Sequence, residues 1–285
     1  MLKTFLIVAM GLGVVTLTAL LYGSWRSNNA TRQLRARLDA ARVQVGPPLV
    51  DFRELDGLPT PVQRYFHAAL VDGQPMIAGA NLRHRGTFNL RDSAEQWQSF
   101  TSDQKVVAQR PGFHWDGRIT VLPGVTVRVH DAYVAGEGIL KASLLGLIPI
   151  ADLRGTGELA QGELLRFFAE AVWYPTSLLP VRGVRWEPVD ERSAYGTLSD
   201  GDIAVTLLFT FDEQGLISTV YAAARGRTVG GSSVPTPWQG RFSNYTERDG
   251  MRVPLDGVVE WLLPDGANPY WRGRITQLVY DRSVA

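Results

Sequence analysis

The side chains best suited to moving protons are sparse in this chain: four histidines, at 67, 84, 114 and 130, and no cysteine. His114 and Asp116 are two residues apart in a stretch of alternating polarity, so on a strand they share a face. His130 adjoins Asp131. Either combination has the composition of a general base with an orienting carboxylate. Glu137, between Gly136 and Gly138, is an isolated carboxylate of the same potential. None of them comes with a nucleophile: H-E-x-x-H, G-x-S-x-G, P-loop, G-x-G-x-x-G and C-x-x-C patterns are all missing. Ordinary surface or edge pairing accounts for these residues with fewer assumptions, so no catalytic residue, metal ligand or cofactor is assigned. The lack of cysteine removes disulfides, thiolate catalysis and cysteine metal sites together.

A second pattern concerns binding. Trp115-Asp-Gly117-Arg118, Trp238-Gln-Gly240-Arg241 and Trp271-Arg-Gly273-Arg274 repeat one local motif at unequal spacings, so they form no tandem array. On a strand each Trp stands beside its Gly, and each Arg turns to the other face. A bare glycine leaves room for the indole to lie flat, or for the sheet to bend sharply. These aromatics are either core residues covering glycine kinks or the lining of a concave face. In the second case Phe113, Trp115, Trp238, Phe242 and Trp271 would contact an elongated apolar ligand. The two readings overlap, because a curved sheet covered by a helix leaves a cavity only where the helix does not fill it.

The positioning elements are mostly strands. From Leu82 the polarity alternates with period two. Candidate strands are 82–90, 95–108, 112–121 and 125–134, then 184–188, 194–199, 203–211, 216–224, 236–247, 257–263 and 270–280. Turn pairs such as Pro123-Gly124, Asp200-Gly201, Asp249-Gly250 and Asp265-Gly266 separate many of them, which implies an antiparallel meander. The apolar, glycine-punctuated segment 136–155 is compatible with a loop, a short helix or a strand. Between the two strand-rich halves lies TGELAQGELLRFFAEAVWYPTSLLP, residues 156–180, with a helix expected over 157–174 and Thr156 as N-cap. Leu164, Leu165, Phe168, Ala171 and Val172 fall on one arc; Glu163, Arg166 and Glu170 take the opposite arc, spaced to pair in water. Pro175 ends the helix. The expected fold is α+β: a curved, half-barrel-like antiparallel sheet of about 11 strands packed on a central amphipathic helix.

The first residues differ in kind. Thr4 to Gly23 carries no charge and as a helix spans about 30 Å, the thickness of a bilayer core. Tyr22 and Trp25 stand where interfacial aromatics belong. The run is longer than a signal-peptide core and no A-x-A site follows, so an uncleaved transmembrane anchor over 1–25 is expected. A juxtamembrane helix from Thr31 to Val45, with Leu34, Leu38, Ala41 and Val45 on one stripe, reads as a spacer lying on headgroups. Gly46-Pro47-Pro48 breaks it, and Thr60-Pro61 opens a further helix. The division is an anchor at 1–25, a helix and linker at 26–58, and one α+β domain at 59–285. Residues 1–45 hold six basic residues against one acidic, leaving 23 basic and 27 acidic in the remainder. That balance opposes nucleic-acid binding and points to the lipid bilayer as a partner. Arginines after the span favour a cytoplasmic domain, whereas a domain this long can cross despite them. The side stays open, with a single-pass cell-membrane protein and an extracytoplasmic domain as the working expectation.

Four stretches carry a resemblance: LPTPVQRYF (58–66), PGFHWDGRI (111–119), the long segment 131–180 beginning DAYVAGEGILKASLLG, and TPWQGRFSNYTERDGMRVPLDGVVEWLLPDG (236–266). Together they resemble an uncharacterised bacterial family of membrane-anchored proteins known only as a domain of unknown function. That resemblance implies no residue roles. At the level of architecture alone, the expected fold is similar to the half-barrel lipid and lipoprotein carriers of the bacterial envelope. Three functions stay in view. The first is a non-enzymatic binder or carrier of a hydrophobic small molecule or lipid at the membrane. The second is a hydrolase using a His-Asp or carboxylate site, and the third is an envelope structural or assembly protein. The oligomeric state is not set by the sequence.

Overall fold

A computed structural model describes residues 1–43, 48–90 and 96–282. Alternating polarity resolves into β1 (Ile77–Asn89), β2 (Trp97–Val107), β3 (Gly112–Leu122), β4 (Val125–Val134), β5 (Glu137–Leu144) and β6 (Ile148–Gly155). After the central helix come β7 (Arg185–Asp190), β8 (Ser193–Asp200), β9 (Ile203–Phe211), β10 (Ile217–Val229), β11 (Ser232–Arg248), β12 (Met251–Leu263) and β13 (Gly266–Arg282). They form one open, curved antiparallel sheet in the order β6-β5-β4-β3-β2-β1-β13-β12-β11-β10-β9-β8-β7. The chain starts at the middle, meanders to one edge, crosses to the other edge, and meanders back until β13 pairs with β1. Glycine and aspartate supply the left-handed turn residues: Gly124 (φ 76°), Gly201 (φ 60°), Asp249 (φ 50°) and Gly250 (φ 77°).

The expected eleven strands are thirteen among the described residues. The two additional strands come from the ambiguous segment, which is the β5–β6 hairpin, turned by Leu145 (φ 56°) and Gly146 (φ 73°). Its glycines and even apolarity hid the period. Gly138 is required because the backbone of Leu159 and Ala160 lies where a Cβ would project.

Three α-helices among the described residues complete the fold: α1 (Leu2–Ala40), α2 (Thr60–Ala69) and α3 (Glu158–Glu170). α3 is the crossover between the two edges. It lies in the concave face and touches β4 and β5 on one side, β9 and β10 on the other. The expected stripe is buried, with Phe168 edge-on to Phe209 at 5.2 Å. Two expectations about this helix are corrected. Gly157, not Thr156, stands at the N-cap, and no side chain caps it. Glu163, Arg166 and Glu170 are not in water. Their side chains are largely buried, because a sheet that wraps around a helix covers more than one of its faces. α2 closes an end of the core through Val62, Tyr65 and Phe66, with Tyr65 5.8 Å from Phe211.

α1 is one continuous helix rather than an anchor and a separate spacer. Leu34 and Leu38 pack into an apolar patch on the outer sheet face made by Val107, Ala132, Val134 and Ile139. The expectation that this segment lies on headgroups is therefore corrected: the sheet offers a matching surface that burial favours over a lipid interface. Polar contacts reinforce it, including Arg37 to Glu137 at 2.5 Å and Lys105 to Asp39 at 2.6 Å. Val45 and Gly46-Pro47 lie outside the described residues. The most apolar 18-residue window of α1 has no buried residue and a mean hydropathy of 2.3. By length and composition it is able to cross a membrane, as an anchor or as a signal sequence.

Phe168→Ala should cost about 3–5 kcal/mol and Leu38→Ala about 2–5 kcal/mol in chemical denaturation of the full chain. A negligible loss for Leu38→Ala would mean that α1 does not bear on the sheet in solution.

Candidate functional site

The concave face and α3 do not meet everywhere. Between them lies a cavity of about 120 Å³, walled chiefly by Trp115, Trp173, Trp238, Phe242, Tyr270 and Trp271. That is well above the roughly 10–15 Å³ needed to admit a single water. The glycines place the indoles. A Cβ on Gly117 would overlap the six-membered ring of Trp115, and one on Gly273 that of Trp271, so both rings lie flat along their own strands. Gly240 is roomier: a Cβ there would meet Val220 Cγ2 at 3.1 Å and Trp238 Cη2 at 3.5 Å. Trp271 is held by Phe100 at 5.7 Å and by Trp173 at 6.4 Å. The motif arginines face outward onto carboxylates of neighbouring strands: Arg118 onto Asp103, Arg241 onto Glu260, Arg274 onto Asp256. Of the five aromatics expected to line a concave face, Trp115, Trp238, Phe242 and Trp271 border the cavity. Phe113 is fully buried beside them, with the Arg166 guanidinium 4.9 Å above its ring, and is not part of the wall.

Charge enters this apolar wall at two places. Arg166 donates from Nη1 to Asp131 Oδ2 and from Nε to Glu170 Oε1, each at 2.8 Å, while Gln104 Nε2 donates to Glu170 Oε2 at 2.6 Å. Asp131 Oδ1 and Glu163 Oε2 are buried without a partner. Burial pushes both carboxyls up, Glu163 to about 8, with the neighbouring Asp131 charge adding to it. The second place is Arg225, stacked 4.9 Å over Trp238. It donates at 3.4 Å to Tyr270 Oη and at 3.5 Å to the Gly162 carbonyl, both neutral groups. Trp238 Nε1 also donates to Tyr270 Oη, at 3.0 Å. With both lone pairs of that oxygen used, the Tyr270 proton is available to a ligand acceptor, beside the remaining N–H groups of Arg225.

The histidines are elsewhere. His130 and Asp131 are successive strand residues and face opposite ways, so they form no pair. His114 and Asp116 lie on the outer face beneath α1 without bonding to each other. Asp116 Oδ2 accepts from Thr31 Oγ1 at 2.8 Å. His130 sits between Ser27 Oγ and His114, each at 3.2 Å. Burial depresses both imidazoles, His114 to about 3. His84 is packed between Trp173 and Trp271, bonded to Ser102 Oγ at 3.3 Å, and burial lowers it to about 4. Glu137 is held by Arg37 and Arg154. The cavity thus presents indole faces, the Tyr270 and Arg225 donors and the Arg166–Asp131–Glu170 ion network, and neither expected base-carboxylate combination assembles there. Trp173, Tyr270 and Arg225 were not signalled by the sequence, since each is a single residue without a motif.

A family model described as "Family of unknown function (DUF6920)" matches residues 56–280. No curated protein matches the chain. Among solved structures, the chain is similar to a LolA-superfamily protein from Nitrosomonas europaea, at 12% identity and a TM-score of 0.41, over 79% of this chain and 93% of that one. It is also similar to a beta-barrel-like protein of the domain of unknown function DUF1849 from Brucella abortus, at 10% identity and a TM-score of 0.23, over 72% and 99%.

The Glu163 carboxyl is raised in the folded protein above its ordinary 4.5. Its stabilising share is therefore complete below about pH 4.5 and is lost as pH rises towards about 8. Glu163→Gln should flatten the decline in the denaturation midpoint across that window relative to wild type. An unchanged slope would show that Glu163 is ionised when folded. Arg166→Met, which strands Asp131 and Glu170, should cost about 3–5 kcal/mol.

Proposed function

We propose that this chain, which belongs to the DUF6920 family of unknown function, is a membrane-anchored binder or carrier of an apolar, lipid-like ligand, without catalysis of its own. The observation that carries this reading is the indole-walled cavity between α3 and the concave face. A packed core would leave no such space, since protein interiors close to crystal density. Flat indoles present broad apolar surfaces along which a chain can lie. The Tyr270 hydroxyl and Arg225 offer donors to an acceptor such as a carbonyl or carboxylate at one end of it. Trp115, Trp238, Phe242 and Trp271 are the ligand-contacting residues in this reading, with Phe113 supporting them from behind.

The anchor part of the proposal rests on α1. The apolar half runs without a break into the half packed on the sheet, so the span and the binding face belong to one body. A cleavable leader has no need of that continuity.

Native mass spectrometry of the detergent-extracted full chain should show a bound species of lipid-like mass. Gly240→Val narrows the cavity at a glycine with more room than Gly117 or Gly273, so it should lower occupancy several-fold while the fold is kept. Trp238→Ala should likewise lose the ligand at a stability cost below the roughly 3–5 kcal/mol of a packed aromatic. Protein mass alone in wild type, with every Trp variant unfolded, would make the indoles plain core and end the carrier reading. Resistance of the full chain to carbonate extraction tests the anchor; a mature N-terminus at or beyond Ser24 would refute it.

A further inference from the structure

The apolar half of α1 leaves the sheet at a defined place. The backbone of Gly23 lies against the turn between β5 and β6: a Cβ on Gly23 would overlap the Leu145 carbonyl and reach Leu147 Cγ at 2.9 Å. One on Gly146 would overlap the Gly23 carbonyl. Arg26 Nη1 donates to the Leu147 carbonyl at 3.3 Å. From Gly23 back to Leu2 the helix covers about 32 Å, enough to cross a hydrocarbon core. Tyr22 and Trp25, stacked at 5.9 Å and both exposed, mark the level where such a span meets water.

The sheet end at that level is apolar and bare. In a meander alternate turns fall at the same end, so the β3–β4 turn stands near the β5–β6 turn. Residues 119–127 (ITVLPGVTV) and 142–151 (ASLLGLIPIA) contain no charge. Leu122, Ile148 and Ile150 at their tips are 63%, 61% and 59% exposed. A lone exposed leucine needs no explanation; three from neighbouring turns beside the exit of a membrane-length helix do. The nearest cations up the strands are Arg118, Arg128 and Lys141 on the outer face: Arg118 stands opposite Arg128, and Lys141 lies one same-face step further along, opposite His130 and ion-paired with Asp152 at 3.3 Å. Arg118 and Arg128 stand directly opposite each other, a like-charge pairing offset in part by the contacts of Arg118 with Asp103 and Asp116, and a further anion there would relieve it more. Arg128 has its guanidinium pKa lowered by burial and by Arg118.

We propose that these two turns form a lipid-facing rim: Leu122, Ile148 and Ile150 enter the headgroup–acyl boundary beside α1, and Arg118, Arg128 and Lys141 meet the phosphates of anionic phospholipids. The partner is the bilayer that α1 itself crosses, because the rim and the span share the Gly23 contact. The inference rests on the anchor reading. It adds that the sheet is seated on the membrane in one orientation and is not merely tethered to it.

The lack of cysteine allows single labels in the full chain. Leu122→Cys, Ile150→Cys, Tyr22→Cys and Ala135→Cys would each carry a fluorophore, in nanodiscs of phosphatidylcholine with phosphatidylglycerol. Ala135, in the β4–β5 turn, is the far-end control, about 30 Å away along β4. Labels at 122 and 150 should be quenched by nitroxide-bearing lipid and be several-fold less open to aqueous iodide than the label at 135. If 122 and 150 behave like 135 while 22 is quenched by lipid, the chain is anchored and the rim proposal is wrong. If 22 also escapes lipid quenching, the anchor reading itself fails. Equal quenching of 122 and 150 in phosphatidylcholine alone would overturn the role given to anionic headgroups.

Discussion

The architecture turns on the guanidinium of Arg166. It joins α3 to β4 through Asp131, grips its own helix through Glu170, and rests over Phe113 and Trp115. A buried ion network is costly to desolvate and is often weaker than a greasy contact of the same volume. What it supplies here is spacing. The face of α3 that turns toward the indoles carries Glu163, Arg166 and Glu170. Arg166 does lie over two of the rings, but its ion pairs with Asp131 and Glu170 fix how it approaches them, and these charged groups do not fill the space as leucines would. The helix is held by a polar strut along one line and by its leucines along another, and the cavity persists between them.

Much of the sheet was legible because period-two alternation and glycine turns are local signals, visible wherever one face is buried. The β5–β6 hairpin was not, since its apolar residues run together and its edge position leaves most of them uncovered. Trp-x-Gly-Arg was legible as geometry: the contacts of Trp115 on Gly117 and of Trp271 on Gly273 follow from strand alternation alone. Which arc of α3 meets solvent was not legible. Helical periodicity separates two faces but does not say whether the surroundings cover one or both. The packing of α1 failed for a related reason. The patch that receives Leu34 and Leu38 is assembled from Val107, Ala132, Val134 and Ile139, which lie on three different strands.

The sheet is used on both sides, and the two uses are a single residue apart. On β3, Trp115 faces the cavity while His114 and Asp116 face α1; on β4, Asp131 faces Arg166 while His130 faces Ser27. On the outer side Ser27 and His114 bond His130, and Thr31 donates to Asp116, so these groups meet one another rather than a substrate-sized space. They secure α1 with directional contacts where apolar packing alone would allow it to slide. Strands β3 and β4 are therefore common walls, and a shift of register in either would disturb the cavity and the seat of α1 at once.

The order of strands has a mechanical meaning. The two meanders share a single seam, β1 with β13, where Gly86 gives way to the carbonyl of Arg272; their outer margins, β6 and β7, are left unjoined. Such a sheet is a book with one spine, and α3 is a bar laid between its covers. A closed barrel has a circumference fixed by its hydrogen bonds, whereas covers can part by a small rotation at the spine without breaking a ladder. Any change of width between such covers would come at the expense of bending rather than of unpaired backbone, and the bar laid across the opening would limit it.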